Sequence, residues 1–388
     1  MKSNHHNEPS SGSGTARREV KRERLVPGAK SALIVGLIGL VCGYGYTAKG
    51  QYSGDIILPK GYVQVEGDII MTESNAAVLL GQQTGIHPDF AYAPSRLWPN
   101  RVVPYDFDPG VTPQQQAVFV AAMTSWQNSF PGAITISFQP RNGEAGYLHL
   151  VIGDPGGFSG GSTDYVGYSG GQVTITVSSD SVAQFLIAHE VGHALGLWHE
   201  QSRDDRQNFI IIVTNNVASG KLNQFDIKSP QAHFGDEYDY ASIMQYSTCA
   251  FSKCNGQGGN PNCSCADTNC QTMQAVYPAQ QCNIGQLAAL SPLDMRSMAF
   301  MYGPPDWKFV YDQPGSTGTG SFQQPYASIS QAAANAPANS TLWLGPGPHL
   351  AAGLRLATPM ILKAAIPDLQ LQPDGSLGPS STGYATLQ

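Results

Sequence analysis

The chain reads as an α+β protein. Three short runs alternate apolar and polar residues, ITISF, YLHLVI and QVTITVS, and three longer segments around them carry apolar residues at helical spacing. Composition agrees with a globular, loop-rich protein: 41% hydrophobic and 13% charged, with 43 Gly and 27 Pro among 388 residues. The net charge of −7 comes with no basic stripe beyond the first thirty residues, so no nucleic-acid partner is expected.

Residues 1–48 form the first unit. Lys2, Arg17, Arg18, Lys21, Arg22, Arg24 and Lys30 precede the apolar run SALIVGLIGLVCGYGY, which has the length of a signal peptide and marks the protein for export. The alternative is an uncleaved membrane anchor through residues 31–46, although the run is short for a full span. Residues 49–88 then hold two related phrases, YSGDIIL and VEGDIIM, each a Gly-Asp turn leading into an apolar triplet.

The next elements follow in order. LWPNRVVPYDF is an opening strand. In TPQQQAVFVAAMTSWQNSF, Thr112 is an N-cap, Pro113 takes the first helical position, and Phe119, Ala122, Met123, Trp126 and Phe130 share one face. In the three alternating strands Ile134, Ile136, Phe138, Leu148, Leu150, Ile152, Val173, Ile175 and Val177 point to the core, while His149 faces the other way as a satisfied or solvated histidine. The stretch from Gly153 to Gly171 is expected to be a flexible surface loop. A helix then starts near Asp180 or Ser181 and runs through VAQFLIAHEVGHALGL. The domain closes with SPLDMRSMAFMYG, where Ser291 and Asp294 make a capping box and Gly303 lies past the last turn.

Beyond residue 303 Pro, Gly, Ser and Ala dominate and charge nearly vanishes. The tail, 304–388, resembles the opening coil of a parallel β-helix of the polysaccharide-lyase kind over about forty-five residues. That implies a small β-rich extension, either an accessory patch on the preceding domain or a partly disordered end. Six of the seven cysteines cluster at Cys249, Cys254, Cys263, Cys265, Cys270 and Cys282. In an exported protein they read as disulfides stapling a Gly/Asn-rich loop, with a zinc knuckle as the competing reading.

The chemistry concentrates in HEVGHALGLWHEQSRDDR. Residues four apart share a helix face, so His189 and His193 can aim their imidazoles at one point, and Glu190 lies beside it without occupying it. Gly196 permits the positive φ that ends the helix and returns the chain, so that His199 can arrive as a third ligand. Three histidines with a free glutamate leave an open metal position, which is the arrangement of a catalytic zinc and not of a structural one.

His-Glu-x-x-His-x-x-Gly-x-x-His is the long zinc motif of the metzincin peptidases, and Glu200 followed by QSRDDR resembles the astacin family within them. YDYASIMQYS supplies the second hallmark, a methionine turn with Met244, and Tyr246 matches the family's displaceable zinc-binding tyrosine. The resemblance spans about residues 65–303. It implies a twisted, mostly parallel sheet, an active-site helix, an irregular C-terminal subdomain, and one Zn2+ on His189, His193 and His199. It further implies an endopeptidase in which Glu190 moves the proton of the attacking water, Tyr246 stabilises the oxyanion, and Glu200 structurally anchors the N-terminus freed by propeptide removal.

In the family an aspartate of a Phe-x-Gly-Asp propeptide phrase occupies the zinc, so the chain's own propeptide is an expected inhibitor. Asp68 of VEGDIIM is the favoured counterpart because it lies nearer the catalytic region, and Asp55 of YSGDIIL is the alternative. The implied division is an export segment 1–48, a propeptide 49–88, a peptidase domain 89–303 with a Cys-rich insertion 249–282, and the extension 304–388. Two departures stand out: no cysteine lies between Cys42 and Cys249, and Gln245 replaces the family's histidine before the tyrosine. Substrates would be proteins or peptides, cleaved after activation by another protease. The reading from a different class is a non-catalytic secreted protein that uses zinc structurally and its tail to hold glycans.

Overall fold

The structure, a computed structural model, describes residues 58, 60–81, 96–127, 136–154, 160–227, 238–255, 266, 268–304, 306–310, 318–321, 324–345, 347–349, 358–364, 370–371, 377–378 and 385–387. All of them belong to one unit, Thr47–Gln388. Residues 1–48, read above as a signal peptide or as an anchor through 31–46, lie outside the described residues, as do Asp55, the region around residue 88, Phe130, Ile134, Cys263 and Cys265.

A hairpin comes first in the chain, β1 (Tyr62–Glu66) and β2 (Ile69–Thr72), followed by a short helix α1 (Glu73–Gly81). The opening strand is β3 (Val102–Phe107), and TPQQQ begins helix α2 (Pro113–Gln127), whose buried face is Phe119, Ala122, Met123 and Trp126 as its periodicity requires. The alternating runs become β4 (Ser137–Pro140), β5 (Tyr147–Ile152) and β7 (Gln172–Val177). β3, β4, β5 and β7 are mutually parallel in the order β7-β5-β3-β4, so the mostly parallel sheet is present. His149 is held by Asp106, with Nδ1 2.7 Å from the carboxylate.

Two expectations are corrected. The stretch between β5 and β7 is not simply a surface loop: Gly161–Thr163 form β6, buried throughout and antiparallel to β7, and Tyr165 and Val166 are buried behind it. Their apolar side chains are screened from a pattern reading by the surrounding Gly and Ser. The histidine helix α3 (Gln184–Ala194) starts three or four residues later than expected, because the Asp180 carboxylate accepts from the Ser178 and Ser181 hydroxyls in a turn closed by Ser181 N–H donating to Ser178 O. Those side-chain bonds satisfy the serines outside a helix.

β6 is not the edge of the sheet. β2 runs parallel to it through Ile69 and Thr163, giving the order β1-β2-β6-β7-β5-β3-β4, so the hairpin before residue 88 completes the seven-stranded sheet. One core lies between this sheet and α2 and α3, built from Phe119, Met123, Trp126, Leu148, Leu150, Ile175, Ile187 and Val191. The Trp126 indole N–H donates to Ala188 O at 2.7 Å and locks the two helices together.

The C-terminal subdomain is irregular. Its regular elements are the two-stranded pair β8 (Ile210–Ile212) and β9 (Met273–Ala275) and helix α4 (Pro292–Tyr302), which has the expected capping box. Gly303 ends α4 at an ordinary negative φ; what demands glycine is space, since a Cβ would lie 2.3 Å from Ala299 O. Cys254 and Cys270 form a disulfide, and Cys249 and Cys282 are also disulfide-bonded. For these four sulfurs the zinc knuckle is excluded.

The tail keeps the parallel character its sequence suggests. β10 (Trp307–Val310), β11 (Thr341–Leu344) and β13 (Ile361–Ala364) pair in parallel, with helix α5 (Ile329–Asn335) between the first two, and β12 (Gly347–His349) pairs in parallel with Ala385–Leu387. It is seated on α4 by aromatic rings: Phe300 of α4 lies 5.1 Å from Trp343, 5.5 Å from Phe309 and 6.4 Å from Trp307. Among the described residues no helix is long and apolar enough to cross a membrane.

Candidate active site

α3 presents His189 and His193 one turn apart. The helix ends at Ala194; just beyond it Gly196 takes a φ of 113°, which only glycine adopts readily, and the returning chain delivers His199. All three rings are buried. Each is fixed from behind through Nδ1: His189 to Ile243 O at 2.6 Å, His193 to Leu197 O at 2.8 Å, and His199 to the Glu66 carboxylate at 2.8 Å. That leaves the three Nε2 atoms pointing inward.

The inward nitrogens meet one carboxylate, that of Asp68. Its Oδ2 is 2.8 Å from His189 Nε2, and its Oδ1 is 3.2 Å from His193 Nε2 and 3.1 Å from His199 Nε2. The four ligand atoms lie within 4.8 Å of one another. Zinc fits this set: three imidazoles with their outer nitrogens tied, and an oxygen donor on the open side. Burial alone would raise Asp68, but the charges of His199, His193 and His189 outweigh it and hold the carboxyl well below its ordinary range. Burial lowers His193 to about 4, whereas the Asp68 and Glu66 carboxylates overcome burial at His199 and raise it to about 9.

Glu190 is buried beside the histidines, and its Oε2 accepts the Thr163 hydroxyl at 2.8 Å. Burial, reinforced by the Asp68 charge, pushes its pKa well up. Tyr246 lies on the other side with its ring 4.2 Å from that of His199, and its hydroxyl accepts the Gly67 amide at 2.7 Å. Burial and the Glu66 and Asp68 carboxylates raise this phenol well above its usual value.

The methionine turn lies directly beneath α3. A Cβ on Gly192 would fall 2.5 Å from Met244 Sδ, so the glycine inside HEVGH is where the turn presses against the helix. Met244 O accepts Glu200 N–H at 3.0 Å. The Gln201 side chain accepts Tyr246 N–H at 2.9 Å, tying the His199 loop to the turn. Gln245 points away, with its Oε1 accepting the Tyr238 hydroxyl at 2.5 Å. Glu200 is buried and accepts from Arg203 Nη1 and from Asp239 N–H, both at 3.0 Å, while burial raises it to about 7 against the pull of Arg203.

Pattern reading singled out Asp68 but passed over Glu66, Thr163, Gln201 and Arg203. Glu66 had no usable signal, because it ends β1 while Asp68 lies in the turn before β2, so a spacing of two does not put them on one strand face. Thr163 had none, lying inside a stretch read as loop. Arg203 is fully buried, with its guanidinium paired to Glu200 and, at 2.7 Å, to Asp205.

Comparison with known proteins agrees with this geometry. The family model described as Astacin, a peptidase family, matches residues 90–303. The zinc metalloproteinase nas-6 of Caenorhabditis elegans is 28% identical over 299 residues, covering 73% of this chain and 78% of that protein. The zinc metalloproteinase nas-12 of the same organism is 34% identical over 157 residues, covering 40% of this chain and 38% of its own length. Among solved structures, the hatching-enzyme zinc-protease high choriolytic enzyme 1 of Oryzias latipes aligns at 24% identity with a TM-score of 0.45, covering 56% of this chain and 98% of that one. With a family match over more than half its length, falling on the histidine helix and the methionine turn, the chain belongs to the astacin family of zinc endopeptidases.

Proposed function

We propose that the chain is the latent precursor of a secreted endopeptidase, with residues 49–88 as its own inhibitor, residues 89–303 as the peptidase domain and residues 304–388 as an extension seated on it. The supporting observation is the Asp68 carboxylate lying 2.8–3.2 Å from the inward nitrogens of His189, His193 and His199. Asp68 occupies the position a substrate carbonyl and an attacking water would need. Secretion is supported by the basic and then apolar N-terminal run and by disulfides, which persist in oxidising compartments.

His189, His193 and His199 would hold the metal, and Met244 would support them from below. When bound, zinc supplies Lewis acidity and makes water a competent nucleophile near neutral pH. Glu190 takes the proton from the attacking water and passes it to the leaving amine, with the Thr163 hydroxyl fixing its carboxylate. Burial and the Asp68 charge raise its pKa, the direction that suits a carboxyl passing a proton on. The Tyr246 hydroxyl, released from Gly67, donates to the developing oxyanion. Glu200, held by Arg203 in the uncut chain, is the acceptor for the ammonium created by the activating cut. A non-catalytic zinc or glycan binder would have no use for a buried Glu190 beside an open ligand position.

The test is the full chain carrying Asp68→Ala, assayed on casein. It should hydrolyse casein where the wild-type chain does not, and lose that activity with chelator or with Glu190→Gln added. An Asp68→Ala chain as silent as wild type, while a chain trimmed to residue 89 is active, would remove Asp68 from the latency device. Full activity in Glu190→Gln would remove Glu190 from the chemistry.

A further inference from the structure

Two carboxylates reach the histidines from the segment before residue 88. Asp68 meets the inward nitrogens, whereas Glu66 approaches the site from behind. Glu66 Oε2 is 2.8 Å from His199 Nδ1, its Oε1 accepts the Ser202 hydroxyl, and the side chain has no solvent exposure. The hairpin is built to place it there. Register shifts between Gln64 and Glu66, so that Glu66 pairs with Ile69, and such a bulge re-aims a side chain.

The three histidines are therefore not supported alike. The outer nitrogens of His189 and His193 are held by Ile243 O and Leu197 O, backbone groups of the peptidase domain that stay after any N-terminal cut. The outer nitrogen of His199 is held by a side chain that leaves with the propeptide. An acceptor behind a ligating imidazole fixes its tautomer and raises its basicity, and loss of such a partner typically costs tenfold to a hundredfold in metal affinity.

We propose that Glu66 is a positioning residue for zinc retention. Through His199 it makes the uncut chain hold its metal more firmly than the mature enzyme does, so the propeptide secures the ion as well as blocking it. This rests on the latency reading above but is separable from it, because Asp68 acts on the open side of the site and Glu66 on the closed side.

The experiment measures zinc release from the zinc-loaded full chain to excess 4-(2-pyridylazo)resorcinol, for wild type, Glu66→Gln, Glu66→Ala and Asp68→Ala, with casein hydrolysis followed in parallel. Glu66→Ala should release zinc about tenfold faster than wild type while remaining latent. Glu66→Gln, which keeps an acceptor but no charge, should fall between them. After cleavage at the same site all Glu66 variants yield the same mature chain and should release zinc at one rate, which excludes damage to the peptidase domain. Release from Glu66→Ala at the wild-type rate would overturn the proposal. So would gain of casein hydrolysis by Glu66→Ala, because Glu66 would then be seating the whole propeptide. An inactive Asp68→Ala chain would instead sink the latency reading, leaving the zinc-release result for Glu66 to stand or fall alone.

Discussion

Gly192→Ala pits local preference against packing. On an isolated helix the change is favourable by about 1 kcal/mol, because alanine loses less backbone entropy than glycine. Here the new Cβ would lie 2.5 Å from Met244 Sδ and 3.2 Å from both Met244 Cε and Trp126 Cζ2. Neither neighbour can yield cheaply: Met244 and Trp126 are buried, and the Trp126 ring is pinned by its bond to Ala188 O. Overpacking costs about 1–3 kcal/mol, and a 2.5 Å approach belongs to the upper part of that range, about 2–3 kcal/mol, so after the helix gain the net change should be a loss of about 1–2 kcal/mol. For a domain of this size that lowers Tm by roughly 4 °C. Met244→Ala alone should cost about 2–3 kcal/mol through the cavity it leaves. The double variant should be about 1–2 kcal/mol more stable than the sum of the two losses predicts, because the second change makes room for the first. Guanidinium unfolding of the four zinc-loaded chains, followed by circular dichroism, measures the cycle. A Gly192→Ala chain as stable as wild type, or strict additivity, would refute the claim that the methionine turn is pressed against the helix at this point.

Tyr246→Phe, introduced into the activated Asp68→Ala chain, should lower kcat by about a hundredfold with zinc content unchanged, the usual scale for losing one oxyanion donor; an unaltered kcat would remove the hydroxyl from the mechanism. Arg203→Met leaves Glu200 and Asp205 without their buried cation and should destabilise the chain by about 3 kcal/mol in thermal unfolding. Asp164 is raised to about 6 by burial, against the bond its Oδ1 accepts from Thr174 N–H. A raised acid favours the folded chain while protonated, so its contribution is full below about pH 4 and is lost as pH rises through 6, at most about 3 kcal/mol before solvent screening. Asp164→Asn should therefore gain in Tm over wild type as pH goes from 4 to 7, and a constant difference would contradict the assignment.

The histidine helix, α2 and the capping box of α4 were legible because each rests on local physics, i, i+4 geometry, an apolar stripe or a cap, whereas the methionine turn was found through the family resemblance. β6 was not, because three residues carry no usable periodicity and its burial comes from strands on either side. The start of α3 was misplaced because two serine hydroxyls bond to Asp180 in preference to beginning the helix. Asp68 was visible only through a resemblance, and a Gly-Asp turn by itself could not show that three histidines more than a hundred residues away would converge on it. The role of Glu66 required knowing which nitrogen of His199 faces which way, and no linear pattern encodes that.

The hairpin of β1 and β2 has one more consequence. With it in place β6 is an inner strand; were the proposed cut to remove it, the N–H and C=O groups along one side of β6 would become a bare sheet margin beside the histidines. Such a margin accepts any extended backbone, whether a substrate or another newly made chain. On the proposed latency, the segment that blocks the histidines would also shield that margin from other copies of the chain, and the site would gain a strand-pairing edge for peptides in the same step that opens it.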